Sequence, residues 1–217
     1  MENEILTLLE KAEGVLHGHF CLTSGLHSNI YFQCAKLYQY PEITEKIGKA
    51  LAEKLKGIEF DTIVAPAIGA VIMGYETAKQ AGKRSLFVER KDGVMQLRRG
   101  YKLEKGEKIV IIEDVITTAR TIRETIEATK EFGVEVAAVG CIVDRTCGKT
   151  GLNIKSLLQI DPVTYEPNNC PLCKEGIPFP RPAWTVSARA LFHILHTKLP
   201  EPATCVWYGR FIRCVRK

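Results

Sequence analysis

No stretch of this chain of 217 residues approaches the 18 or so consecutive apolar residues of a membrane-spanning helix, so no span is expected. The opening MENEILTLLEKAEG is acidic and amphipathic, unlike a secretory leader with its basic start and apolar middle. There is no internal repeat and no low-complexity linker. The eight Cys lack the regular spacing of a disulfide scaffold, which suits free thiols in a reducing cytosol. A P-loop is excluded as well: Gly148-Lys149-Thr150 would need glycine at position 143, which is Val143. Strong charge is missing from most of the chain. The formal charge of +5 comes from residues 178–217, which carry seven Lys and Arg against one acid, Glu201. The near-neutral first 177 residues give no reason to expect nucleic-acid binding by the core. What remains is 46% hydrophobic, enough for one α/β domain with a proper core and a small appendage.

The informative stretch is IVIIEDVITTARTIRETIEAT, residues 109–129. Ile109 to Ile112 form a short β-branched apolar run, expected as a strand buried on both faces. Glu113 and Asp114 follow, then a hydroxyl-rich turn, Thr117-Thr118-Ala119-Arg120-Thr121. Beyond it Ile122, Ile126 and Thr129 share one face of a helix. A strand, turn and helix start in this order offer unpaired backbone N–H groups and the positive end of a helix dipole to a phosphate. The carboxylates suit sugar hydroxyls or the neighbourhood of a divalent cation. The plain alternative is a βα turn capped by threonines.

Elsewhere, residues 3–13 read as an amphipathic helix carrying Ile5, Leu6, Leu8 and Leu9. Phe20–Leu22 and Ile30–Gln33 read as short strands around Thr23-Ser24-Gly25. Pro41 opens a helix to about Leu55. Strands are expected at Thr62–Ala65, Ser85–Glu89, Val134–Val143 and Ile154–Ile160, and a charged hairpin or mobile loop at 90–106. Alternation of strands and helices argues for a parallel sheet with helices on both faces, with ligands beyond the strand C-termini. The loops at 66–71, 90–92, 113–121 and 144–145 would gather there. Gly69 follows one of these strands and could equally serve close helix–sheet packing. His17, His19 and His27 lack ligand spacing on one helix face, and Cys170–Cys173 is a single CxxC; both are expected to be packing features without a metal. Trp184–His196 could form a short helix.

The run Glu113 to Thr121 resembles the phosphoribosyl pyrophosphate (PRPP) signature of type I phosphoribosyltransferases. The family usually has glycine at the position of Ala119. The segment GHFCLTSGLHSNIYFQCAK, residues 18–36, resembles the N-terminal region of the orotate-using branch, which often has lysine where this chain has Thr23. A CPLC near the end also occurs in that branch. The resemblance covers residues 1–177 and leaves 178–217 as an atypical basic extension.

It implies an α/β fold with a central, mostly parallel sheet and a small N-terminal hood from residues 1–40. It implies an enzyme joining orotate to the ribose 5-phosphate of PRPP, in the cytoplasm, as a homodimer with shared sites. Glu113 and Asp114 would hold the ribose hydroxyls, and Val115, Ile116, Thr117, Thr118, Ala119, Arg120 and Thr121 the 5′-phosphate. Ala67, Ile68, Gly69 and Ala70 would hold pyrophosphate through backbone amides. Arg90 and Lys91, with Arg98 and Arg99 nearby, would offset its charge. Thr117 and Arg145 would contact the base, Arg145 pairing with the orotate carboxylate. Mg²⁺ would travel with PRPP or pyrophosphate and take no ligand directly from the protein. Alternatives left open are transfer to another nucleobase and a catalytically silent PRPP-sensing regulator.

Overall fold

The computed structural model describes residues 2–22, 25–161 and 163–179, together with the backbone of 203–208 and 211–216. Thr23 and the segment Trp184–His196 lie outside the described residues. The chain divides into two units, 1–177 and 178–217.

The first unit is built on a six-stranded sheet: β3 (Thr62–Pro66), β4 (Arg84–Lys91), β5 (Val94–Leu97), β6 (Lys108–Ile116), β7 (Glu135–Asp144) and β8 (Ile154–Gln159). Their order is β5-β4-β3-β6-β7-β8, parallel throughout except for β5. Placing β6 near the middle explains its sequence. Ile109, Val110, Ile111 and Ile112 are all fully buried, with alternate residues facing opposite sides. Val110 and Ile112 pack into one core with α1 (Glu2–Lys11), α2 (Pro41–Lys54) and Met73 of α3 (Val71–Ala81). Ile109 and Ile111 pack into the other core with Val64, Leu86 and Ile122 of α4 (Arg120–Lys130). Each such isoleucine contributes roughly 1.5–3 kcal/mol by leaving water.

The crossovers are tight. Gly74 lets α3 lie directly on β3, since a Cβ there would stand only 2.7 Å from the Cβ of Ala65. The charged segment after β4 is a two-residue hairpin. Lys91 pairs with Val94, and both residues of the turn, Asp92 (φ 53°) and Gly93 (φ 84°), are left-handed, as a type I′ turn requires.

A separate three-stranded sheet forms the hood: β1 (Val15–Cys21), β2 (His27–Phe32) and the short β9 (Thr164–Tyr165), in that order and antiparallel. Both long hood strands extend further than their apolar cores suggest, because His17, His27 and Ser28 are polar yet paired, while Gly18 and His19 fall in a register irregularity between His17 and Phe20. Beyond β9 come a 3₁₀ turn, Pro167–Asn169, and the short helix α5 (Pro171–Lys174). In the second unit, β10 (Ala203–Tyr208) and β11 (Phe211–Arg216) form an antiparallel pair. Among the described residues no helix is long and apolar enough to cross a membrane.

Candidate active site

β6 runs past its apolar core and ends at Ile116, so Glu113 and Asp114 lie within the strand. Glu113 pairs in register with Cys141 of β7. This holds the two acids on fixed backbone. Glu113 is 8% exposed, and burial, followed by the adjacent Asp114 charge, pushes its carboxyl up to about 9. Asp114 is also raised, chiefly by burial, although hydrogen bonds to its carboxylate oppose the shift. One of these is the Val115 N–H donating to Asp114 Oδ1 at 2.7 Å. Two neighbouring buried acids share protons as a unit.

The turn after β6 opens into a small pocket lined by Glu113, Val115, Ile116, Thr117, Thr118, Ala119, Arg120, Thr121 and Ile122. Thr117, Thr118 and Arg120 are exposed at its mouth. α4 begins at Arg120 with no side-chain cap, so its first N–H groups are left for a ligand or water. Ala119, at the N-cap, is left-handed, with φ 56° and ψ 18°. For an L-residue this costs about 1–2 kcal/mol, and glycine would remove the steric part of it.

The loop after β3 approaches the same acids. A Cβ on Gly69 would lie 3.3 Å from Asp114 Oδ2. Helix–sheet closeness is the work of Gly74, whereas Gly69 faces the acidic pair. Ala67 donates its N–H to Val88 O at 2.7 Å, the Ala67–Ile68 peptide is cis, Ile68 is exposed, and Ala70 is buried at the start of α3.

Arg145 follows β7 and is tied to the cradle by its backbone, whose N–H donates to Ile116 O at 2.8 Å. Its Nε is buried without a hydrogen-bond partner, and burial lowers its pKa. Tyr31 of β2 is raised first by burial and then by the Asp114 charge, while Arg145 opposes that rise, so this phenol lies near both. The Tyr38 hydroxyl is likewise buried without a partner, and burial, then Asp114, raises it well above its usual value. Tyr31 and Tyr38 were not singled out from the sequence. The aromatic run IYFQCAKLYQY was the available signal.

The expected loop cations are paired within the chain. Arg90 pairs with Glu124 of α4 and donates to Gly93 O at 3.2 Å. Arg98 and Arg99 both bind Glu89, at 2.9 and 2.8 Å. Nearby carboxylates thus neutralise all three. Lys91 is exposed and has no ion pair among the described residues.

The structure brings two of the histidines and the CxxC together. His19, His27, Cys170 and Cys173 converge, with one ligand atom from each within 4.8 Å of the others. His17 is not among them. Helix-face spacing does not reveal this cluster, because two of its residues come from paired strands and two from a turn far along the chain.

Residues 33–161 match the family model described as phosphoribosyl transferase domain. The chain is 49% identical over 185 residues to a protein of Caldanaerobacter subterraneus subsp. tengcongensis named orotate phosphoribosyltransferase, covering 84% of this chain and 97% of that one. A protein of the same name from Thermotoga maritima is 47% identical over 180 residues, covering 82% of this chain and 96% of the other. Among solved structures, Leishmania donovani UMP synthase superposes with a TM-score of 0.64 at 26% identity, over 72% of this chain and 36% of that one. Aeropyrum pernix orotate phosphoribosyltransferase superposes with a TM-score of 0.61 over 72% of this chain and 93% of that one; at 22% identity this likeness is one of fold.

Proposed function

This chain belongs to the phosphoribosyl transferases and, within them, to the orotate phosphoribosyltransferases; from that premise we propose that it joins orotate to PRPP, giving orotidine 5′-phosphate and pyrophosphate on the route to UMP. The observation that carries this reading beyond the family is Arg145. A buried guanidinium Nε with no partner, tied through its own backbone to the end of β6, calls for an anion. Orotate brings a carboxylate, which a guanidinium fork matches; hypoxanthine and adenine bring none.

The turn at Thr117–Thr121 holds the 5′-phosphate with helix-start amides and hydroxyls. That fixes C1′, and most of the rate advantage comes from position. Glu113 and Asp114 face the ribose hydroxyls. A partly protonated pair can both donate to and accept from a diol, whose hydroxyls do the same. As the C1′–O bond to pyrophosphate breaks, the sugar gains positive charge and a carboxylate beside it stabilises that charge. The orotate nitrogen, its proton given up to solvent, then closes on C1′ with its electron pair, and pyrophosphate leaves with the electrons of the broken bond. Pyrophosphate is already a good leaving group, so no covalent nucleophile is required.

The backbone at Ala67–Ala70 and the exposed Lys91 receive the pyrophosphate. Arg90 would first have to leave Glu124. Mg²⁺ fits this cleft as a cation carried on pyrophosphate. Among the described residues Glu113 and Asp114 have no third carboxylate, thiol or imidazole close enough to complete a protein cage. Such sites use one or two carboxylates plus phosphate oxygens. When bound, Mg²⁺ would offset charge on the departing pyrophosphate. The exposed β4–β5 hairpin suits a homodimer in which Lys91 is lent to a neighbour, and the free thiols suit the cytoplasm.

The test is spectrophotometric orotate consumption with PRPP and Mg²⁺, beside hypoxanthine and adenine. The expected result is turnover with orotate alone. Turnover with a purine would select another base, and PRPP binding without any turnover would select a regulator.

A further inference from the structure

From the cluster in the hood we infer a second site, unconnected with PRPP: a tetrahedral Cys₂His₂ centre for a zinc ion, formed by His19, His27, Cys170 and Cys173. His19 Nε2 and His27 Nδ1 are 3.1 Å apart. Cys170 Sγ is 3.5 Å and Cys173 Sγ 3.6 Å from His19 Nε2, and Cys173 Sγ is 3.3 Å from His27 Nδ1. Around a tetrahedral ion with Zn–S of about 2.3 Å and Zn–N of about 2.05 Å, neighbouring N and S atoms stand about 3.5 Å apart and two N atoms about 3.3 Å. These four of the six separations lie within about 0.3 Å of those edges, and all six are within 4.8 Å. Ordinary packing of two imidazoles and two thiols has no reason to bring one atom of each to a common centre.

The tautomer is also set for a ligand. His19 Nδ1 lies 2.6 Å from Ile177 O. A carbonyl only accepts, so Nδ1 carries a proton, which leaves Nε2, facing the other three residues, as the atom for a metal. A backbone carbonyl behind a ligating imidazole is the usual outer support of a bound metal. His19, His27 and Cys170 are buried, and Cys173 is exposed, so the centre has three protected ligands and an entry side. All four positions are filled by protein, as in structural rather than catalytic zinc sites, and mixed thiolate and imidazole donors in a tetrahedron select zinc among common cations.

The sequence separation shows what the ion would do. His19 sits in β1 beside the irregularity between His17 and Phe20, and His27 opens β2 across from it. Cys170 is 151 residues away from His19. The ion would clip the α5 turn to both hood strands, reinforcing a closure that the short pairing of β2 with β9 makes at two positions. Because β2 carries Tyr31, the clip would hold the hood near Asp114 and Arg145.

The experiment uses the full chain, purified and stripped with a chelator, then titrated with Co²⁺ alone. Expected are the visible bands of tetrahedral cobalt and the near-ultraviolet bands of cobalt thiolate, saturating at one ion per chain. Zn²⁺ should displace them, and its uptake should release protons from the thiols. Cys173→Ser, at the exposed corner, should weaken Zn²⁺ binding by about 100-fold or more, beyond the ~10–100-fold of a lost outer partner. The chelator should lower the Tm of the wild-type protein but not of Cys173→Ser. His17→Ala should bind as the wild type does. Absence of both cobalt bands from the stripped wild-type protein would overturn the inference, as would an unchanged Zn²⁺ affinity in Cys173→Ser. None of these readouts depends on orotate turnover.

Discussion

The junctions after β3 and after β6 share one plan, a buried parallel strand turning into a helix at the same edge of the sheet, yet they present different chemistry. The β6 junction carries two acids within the strand and hydroxyls in the turn. The β3 junction carries only small or apolar residues, Ala67 to Ala70, and approaches the acids of its neighbour through Gly69. One junction supplies side chains and helix-start amides; the other supplies backbone and clearance. Two adjacent turns with the same side chains would crowd like charges together. This pair instead sets bare peptide at Gly69 beside the carboxylate of Asp114.

The largest effect should come from the acids of β6. Asp114→Asn is expected to lower kcat by at least about 100-fold, comparable to losing one electrostatic stabiliser of a transition state, with circular dichroism and Tm close to wild type. Wild-type turnover in that variant would remove the assignment. The β3 junction is tested by two glycines. Gly69→Ala puts a methyl 3.3 Å from Asp114 Oδ2 and should raise KM for PRPP about tenfold with little change in Tm. Gly74→Ala meets Ala65 Cβ at 2.7 Å and should do the reverse, destabilising by about 1–3 kcal/mol through overpacking in denaturant titrations.

A smaller effect concerns pH. Glu113 is raised from 4.5 to about 9 in the fold. Between these values the folded chain keeps a proton that the unfolded chain has lost. Its contribution to stability is therefore complete below about 4.5 and declines as pH rises towards 9. Glu113→Gln should flatten that decline in Tm measured across the range; an unchanged slope would contradict the protonated pair. The smallest effect is at the helix start. Ala119→Gly relieves left-handed strain and should stabilise the protein by about 1 kcal/mol or less, because glycine's greater unfolded entropy offsets part of the gain.

The β6 junction is legible in the sequence because it is contiguous. Apolar run, acids, hydroxyl turn and periodic helix follow in order, and one strand-to-helix rule assembles them. The helix start and the usual family glycine at position 119 also lead to the backbone observed, since Ala119 adopts the positive φ that glycine would favour. The hood is less legible. His17, Gly18, His19, Ser28 and Asn29 interrupt the apolar signal of β1 and β2, and His19 and His27 are drawn there by partners far along the chain. The ion pairs of the loop cations are illegible for another reason. A sequence places Arg90, Arg98 and Arg99 at a strand end but does not say that Glu124 and Glu89 lie within reach. Arg145 could be named from its place after a strand, but the burial that leaves its Nε without a partner is set by tertiary packing.

The most direct measurement is calorimetric binding of orotidine 5′-phosphate and uridine 5′-phosphate to the wild-type protein and to Arg145→Ala. The two ligands share the ribose and the phosphate and differ by one carboxylate. The account predicts that the wild-type protein prefers orotidine 5′-phosphate by about 10–100-fold and that Arg145→Ala loses this preference while keeping its affinity for uridine 5′-phosphate. An undiminished preference in Arg145→Ala would contradict it.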